Sequence, residues 1–472
     1  TASPVVAVGD AVVRLSPPTL TSLAIRLFGT ADKAVLLGVV VTAVVVLAAV
    51  AGITARTRPA AGAGIAALLA GAGVAAALTG STARASDALP VLVGAAVALP
   101  LLVLGTRRLA GGPGPQTAGP SRRTFLLVTG TTAASLVALA VAGQALARRA
   151  RDAVASRAGL RLPPATTPAP GEPTGAEVSP RTPFRTPNTD FYRIDTALSV
   201  PQLPAEDWSL RVHGMVDREL RLDWGDLTAR PALERWITLV CVSNEVGGEL
   251  AGNAVWHGAS LADLLAEAGP DPDADMVLST SVDGYTASTP LETLLESPDA
   301  LLAYGMNGEP LPLEHGFPVR MVVPGLYGYV SATKWVVDLE VTRFADATAF
   351  WTPRGYAERA PVKVASRIDV PRPFEEVATG RVAVAGVAWS PGPGVDAVEV
   401  RVDGGPWQAA AVADVPAPTT WRQWSWAWDA VPGTHTLEVR ATDADGTTQT
   451  GERAPIKPDG ATGWHSVVVR VR

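Results

Sequence analysis

The chain has 472 residues, 47% of them hydrophobic, with a formal net charge of −6 and one cysteine. That length holds two or three domains, and without a dense basic run there is no ground for nucleic-acid binding. One cysteine excludes an internal disulfide framework and a cysteine-held iron–sulfur cluster.

Taken in order, the chain begins with four segments that carry no charge over roughly 20 residues, the length a helix needs to cross a bilayer. They are Ala34 to Ile53, Ala60 to Thr79, Ala88 to Gly105 and Thr124 to Ala147. We expect residues 1–147 to form a four-helix transmembrane region, since four such runs with almost no polar face are rare as buried helices of a soluble core. Arg56 and Arg58 follow the first span, and Arg107, Arg108, Arg122 and Arg123 separate the third from the fourth. By the positive-inside rule both loops are cytoplasmic, and an even number of spans then puts everything after Ala147 outside. Arg148, Arg149 and Arg151 run against that rule. The first residue is Thr rather than Met, which leaves room for a preceding span or leader. The run "SRRTFL" at Ser121 to Leu126 reads either as an internal twin-arginine export signal or as two positive-inside arginines. All five histidines, His213, His257, His315, His435 and His465, lie beyond the spans, so a bis-histidine haem between these helices is excluded.

Residues 148–187 are rich in Pro, Thr and Gly and are expected to be a linker. From 188 to 368, strand-like alternation in "LRVHGMV" and "LRLDW" mixes with helical spacing in "SLADLLAEAG", which predicts an α+β domain. From 369 to 472, alternating segments such as "RVAVAGVAWS", "AVEVRVDGG" and "HTLEVRATD" predict a C-terminal all-β immunoglobulin-like sandwich, with "DGG" as a hairpin turn. Its tryptophans, Trp389, Trp407, Trp424, Trp426 and Trp428, are read as core and edge packing.

Cys241 lies where the apolar strand "WITLV" meets the polar, glycine-containing loop "SNEVGG". In an oxidising compartment a lone cysteine is a buried apolar residue, an intermolecular bridge, a nucleophile or a metal ligand. Its place at the mouth of a strand, beside a loop whose backbone amides can approach a ligand, favours a functional role.

The order of a strand ending in Cys, then "AVWHGASLADLL", "DGYTASTPL" and "LLAYGMNGEPLPLEHGFPVRMVVPGLYGYVSATKW", resembles the sulfite oxidase family of molybdenum enzymes from about Pro187 to Arg472. The resemblance implies a sulfite-oxidase-like molybdopterin domain followed by a dimerisation-type sandwich, hence a homodimer. It also implies that Cys241 is the single protein ligand of molybdenum held by molybdopterin; a soft thiolate suits that metal. By the same matching, Asn188, Phe191, Tyr192 and Arg193 of "PNTDFYR", Asp283, His315 and Arg320 of "HGFPVR", and Gly328, Tyr329, Ser331 and Lys334 of "GYVSATKW" are cofactor-binding candidates. Arg193 and Tyr285 are the candidates for positioning substrate beside Cys241, and Trp256 is either a pocket residue or core. Where the family carries further arginines, this chain reads "CVSNEVGG" and "WSPGPGVDAV", so a low-charge S- or N-oxide fits better than a doubly charged oxyanion.

The expected function is therefore a membrane-anchored molybdopterin oxidoreductase, multi-pass, with its active site outside the cytoplasmic membrane. A separate cytochrome or quinone-linked partner would carry the electrons, since no haem or iron–sulfur site is evident in the chain. The rival readings are a membrane-anchored adhesion protein with a cofactor-free middle domain, and a structural subunit whose spans are the working part.

Overall fold

The computed structural model describes residues 4–17, 20, 24, 27–28, 31–79, 85–109, 151–173 and 182–472. It divides into two units.

The first unit comprises residues 1–155 with 196–202 and 282–284. Its helices are α1 (Pro4–Leu15), α2 (Asp32–Thr57), α3 (Pro59–Leu78) and α4 (Leu89–Leu109). Proline separates the second from the third: Arg58 leaves helical geometry at ψ 80°, and Pro59 opens α3, where a missing N–H costs nothing. The two helices then pack through small residues, and a Cβ added at Gly62 would fall 2.4 Å from that of Ala55. Two helices among the described residues, Lys33–Thr57 and Pro59–Leu78, are long and apolar enough to cross a membrane, matching the first two expected spans. The third expected span is helical, but its apolar stretch is only Leu89–Val103 and Pro100 interrupts it. It falls short of a full crossing, a correction to the four-span expectation. The fourth, with "SRRTFL", lies outside the described residues.

The second unit holds an antiparallel sheet, a mixed sheet and a two-sheet β-region. One sheet runs β3 (Leu233–Val240), β4 (Ala251–Ser260), β7 (Leu301–Met306) and β8 (Glu309–Pro310), with β9 (Arg320–Val322) on β7. The other is ordered β2 (Leu220–Asp223), β1 (Ser209–Gly214), β10 (Val336–Thr342), β5 (Met276–Ser281) and β6 (Thr286–Pro290). Helix α5 (Leu261–Ala268) forms where the sequence predicts it. Ser260 caps Asp263 N at 3.1 Å, Gly269 ends the helix at φ +69°, and Leu261, Leu264 and Leu265 are fully buried.

The Pro-rich stretch corrects the linker expectation in its described parts. Thr166 N donates to Ala232 O at 2.8 Å, Thr167 bridges to Leu233, and Phe184 is 5% exposed beside Trp236. Proline removes donors but leaves apolar surface, and here that surface is buried against the α+β domain.

The C-terminal region is two packed sheets. One is β11 (Ala365–Val370), β13 (Gly380–Trp389), β17 (Arg422–Ala430) and β16 (Ala411–Val412); the other is β12 (Glu376–Val377), β19 (His465–Val471), β18 (Gly433–Asp443), β14 (Val395–Val402) and β15 (Gln408–Ala409). Val384, Trp424 and Trp428 from one sheet meet Val400, Leu437 and Val469 from the other. Asp403 and Gly404 turn the β14–β15 hairpin with φ of +50° and +70°, as the "DGG" run predicts.

Candidate active site

Strand β3 becomes fully buried toward its end and delivers Cys241 at 7% exposure. The following loop closes tightly. Cys241 N donates to Leu250 O, Asn244 N to Cys241 O, and Leu250 N to Asn244 Oδ1, all within 3.0 Å. Ser243 N approaches the Cys241 Sγ at 3.4 Å. Burial pushes the thiol pKa up, while the Ser243 N–H and hydroxyl and the positive charge of Lys334 pull it back. Tyr356 meets the same Ser243 hydroxyl and, with Tyr327, lies in the field of the sulfur.

The loop is held from the β-region. Arg367 Nη1 donates to Gly248 O at 2.7 Å, while its Nε pairs with Asp369 at 2.6 Å. His465 lies so close to Gly247, at φ +81°, that a Cβ there would fall 2.3 Å from the ring. Its Nδ1 accepts from Ile368 N at 3.0 Å.

A second cluster converges near the cysteine. Arg320 is 4% exposed, and its guanidinium donates only to the backbone oxygens of His315, Met321 and Ala332. It lies over the Trp256 ring at 4.9 Å, with no carboxylate partner among the described residues. Burial lowers its pKa to about 10. Lys334, 9% exposed, pairs with Asp195 at 3.0 Å and is lowered to about 8, mainly by burial. Asp195 also receives Arg193 Nε at 3.0 Å. His315 Nε2 donates to Asn188 O at 3.1 Å, and its buried Nδ1 has no partner among the described residues. Burial and the charge of Arg320 lower His315 to about 4, so the ring is neutral at pH 7. Tyr192 joins the field of Cys241 and Arg320, its pKa raised by burial. Gly328 admits the Tyr192 hydroxyl and Val240 O close to its backbone.

The structure thus gathers Cys241, Tyr192, Arg193, His315, Arg320, Gly328 and Lys334. The other expected site residues take different places. The Asn188 amide is occupied by Met306 O, Glu309 and Asn307. Phe191 is core, stacked on Tyr192 and edge-on to Trp256. Trp256 is fully buried and bonded to Ile237 O. The Ser331 hydroxyl returns to Leu326 and Tyr327 oxygens, Tyr329 donates to Ala357 O, and Tyr285 donates to Tyr329 O. Asp283 sits in the turn between β5 and β6. Sequence reasoning missed Asp195, Ser243, Tyr327, Tyr356, Arg367 and His465. Tyr327 stood inside the quoted "VPGLYG" run, whereas nothing local marks Arg367 or His465.

A buried thiol, a buried arginine without an acid and an orphaned imidazole nitrogen together suit a soft metal carried by an anionic, hydrogen-bonding cofactor. Residues 197–351 match the family model described as oxidoreductase molybdopterin binding domain, so the class is that of molybdopterin-binding oxidoreductases. The chain is 32% identical over 338 residues to sulfite oxidase of Gallus gallus, covering 60% of this chain and 72% of that protein. It is 32% identical over 340 residues to mitochondrial sulfite oxidase of Homo sapiens, covering 61% of this chain but 62% of the human protein's length. Among solved structures, the sulfane dehydrogenase SoxCD from Paracoccus pantotrophus shares the fold at a TM-score of 0.54 and 23% identity, covering 62% of this chain and 85% of that one. The chain belongs to the sulfite oxidase family.

Proposed function

We propose that this is a membrane-anchored molybdenum-cofactor oxidoreductase acting outside the cytoplasmic membrane on a small S- or N-oxide or oxyanion. The observation that carries it is Cys241, buried just past the end of β3, with Tyr192 in the field of both its sulfur and Arg320, whose charge meets no acid among the described residues. A desolvated cation of this kind costs several kcal/mol, roughly, unless an anion joins it. Phosphate and pterin oxygens of molybdopterin would accept from Arg320, Lys334 and Arg193, with His315 Nδ1 meeting a donor of the pterin.

When bound, the cofactor supplies a metal that exchanges one oxygen atom with substrate in a two-electron step. Cys241 would be the protein's ligand to that metal, with Ser243 N–H stabilising the thiolate. Arg193, half-exposed, would be the group that holds a substrate oxygen. For an S-oxide, two electrons and two protons release the oxygen as water, and a separate one-electron carrier protein supplies the electrons singly. The two-sheet region would be an immunoglobulin-like, dimerisation-type domain, and "SRRTFL" would direct export of the folded domain.

Elemental analysis of detergent-purified full chain, made in a host that synthesises and exports the cofactor, tests this reading. Near one molybdenum per chain is expected in wild type, with a molybdenum electron paramagnetic resonance signal that changes or vanishes in Cys241→Ser. No molybdenum in wild type would overturn it.

A further inference from the structure

Beside the cysteine loop, a cavity of about 600 Å³ runs between the α+β domain and the β-region. Val240, Asn244, Val246 and Tyr327 form one wall, and Trp389 and Gln449 stand on the other. A four-atom oxyanion displaces about as much volume as two or three waters of roughly 30 Å³ each. The cavity is several times larger, and it falls in the range of roughly 300–1,000 Å³ that suits an organic molecule of drug size.

Its charge excludes an anion as the natural occupant. Lys363 is the cation on the described wall, and its ammonium is spent on Asp459 at 2.8 Å and Gly460 O at 3.0 Å. Glu245 and Asp443 add negative charge. Most wall hydroxyls and amides are already paired: Ser366 donates to Gln449, Gln449 to Gly463 O, and Ser390 to Asp443. Two donors remain on the side of Cys241. Asn244 is 8% exposed with its Oδ1 taken by Leu250 N, and its Nδ2 has no acceptor among the described residues. The Tyr327 oxygen accepts the Lys363 N–H, and burial holds the phenol protonated, with its pKa raised to about 12. Its proton is left for a second acceptor.

We propose that this cavity binds an uncharged, drug-sized organic molecule through one strongly accepting oxygen, received by Asn244 Nδ2 and the Tyr327 hydroxyl. As a statement about substrate it rests on the oxidoreductase reading above; as a binding site it stands on the cavity alone. A site built around two unpaired donors rejects the analogue that lacks the oxygen, because the donors are then buried without partners.

Calorimetric titration of the purified full chain with methyl phenyl sulfoxide, methyl phenyl sulfide and sulfite tests this, alongside two variants that fill the cavity from opposite walls, Val246→Trp and Thr448→Trp. Wild type should bind the sulfoxide at least tenfold more tightly than the sulfide, sulfite should not displace it, and both variants should bind it at least tenfold more weakly. Equal binding of sulfide, displacement by sulfite, or wild-type affinity in both variants would overturn the proposal. Molybdenum is assayed on the same samples: its absence strikes the oxidoreductase reading, while the titrations still decide the cavity.

Discussion

Arg320 shows how a single side chain separates a cofactor site from a structural core. A buried arginine that serves the fold is normally paired, and deleting one member of such a pair costs about 3–5 kcal/mol. Arg320 instead spends its donors on three carbonyl oxygens and leaves its charge uncompensated among the described residues. Replacing it with methionine removes a charge that the cofactor-free protein gains little from, and forfeits only hydrogen bonds worth about 0.5–1.5 kcal/mol each. We therefore expect Arg320→Met to lower molybdenum content at least tenfold, measured by elemental analysis. The same variant, made without cofactor synthesis, should lose no more than about 2 kcal/mol in urea unfolding, the balance of those two effects. A loss of about 5 kcal/mol would make Arg320 a structural residue. Lys334 should behave differently, since Lys334→Met takes one of two cationic partners from Asp195, whose side chain is 6% exposed, and leaves the carboxylate to Arg193. There both stability and molybdenum content should fall.

At the scale of elements, the cysteine loop is positioned by strands far away in sequence. Arg367 on β11 and His465 on β19 grip Gly248 and Gly247, so the β-region sets the geometry of a loop it does not contain. Arg367→Met should leave Gly248 O without its guanidinium donor and Asp369 with the Thr182 hydroxyl but no cation, and destabilise by about 1–3 kcal/mol. A merely structural role would stop there. A positioning role predicts a broadened molybdenum resonance signal as well, partly restored in Arg367→Lys. A second element-scale effect belongs to the hairpin end of β18, where His435 Nδ1 meets Asp403 at 2.7 Å and Nε2 meets Val431 O at 3.0 Å. Two acceptors favour the doubly protonated ring, and the His435 pKa is raised, chiefly by the Asp403 hydrogen bond. A raised histidine contributes stability that is complete below its unfolded pKa and disappears as pH rises through the folded value. Thermal unfolding should show a small loss across that interval above pH 6.5, absent in Asp403→Asn. These contacts also mark what the sequence could reveal. The "HGFPVR" and "LVCVSNEVGG" runs were legible because their residues act within a few positions of one another. Arg367 and His465 were not, because only the packing of the β-region brings them to the loop. The Pro-rich stretch misled for a related reason, since its composition reports absent donors and says nothing of surface that can be buried elsewhere.

For the whole molecule the open physical quantity is the number of crossings. Helix α2 is apolar on all sides, with Val39, Val45 and Ile53 each more than half exposed, which suits lipid contact better than water. Helix α3 follows after Pro59, and if both helices cross a bilayer the positive-inside rule makes the Arg56 and Arg58 connection cytoplasmic. From there parity decides everything. Two or four crossings put the molybdopterin domain outside, and three put it inside. The short apolar stretch of α4 makes this a live physical question, since Leu89–Val103 spans only about 22 Å at 1.5 Å per residue against a core of roughly 30 Å. Such a segment crosses only with help from its continuation or from local thinning of the bilayer. The count expected from the sequence is even, and Arg107 and Arg108 report on α4 alone: they are cytoplasmic if it crosses and external if it does not. Cysteine mapping measures it directly: in intact spheroplasts a membrane-impermeant maleimide should label Asp445→Cys, on an exposed turn, while Thr57→Cys reacts only after lysis. Cys241, buried, provides the unreactive background. Labelling of both positions only after lysis would mean an odd number of crossings and a cytoplasmic active site, and would remove the need for any export of the folded domain.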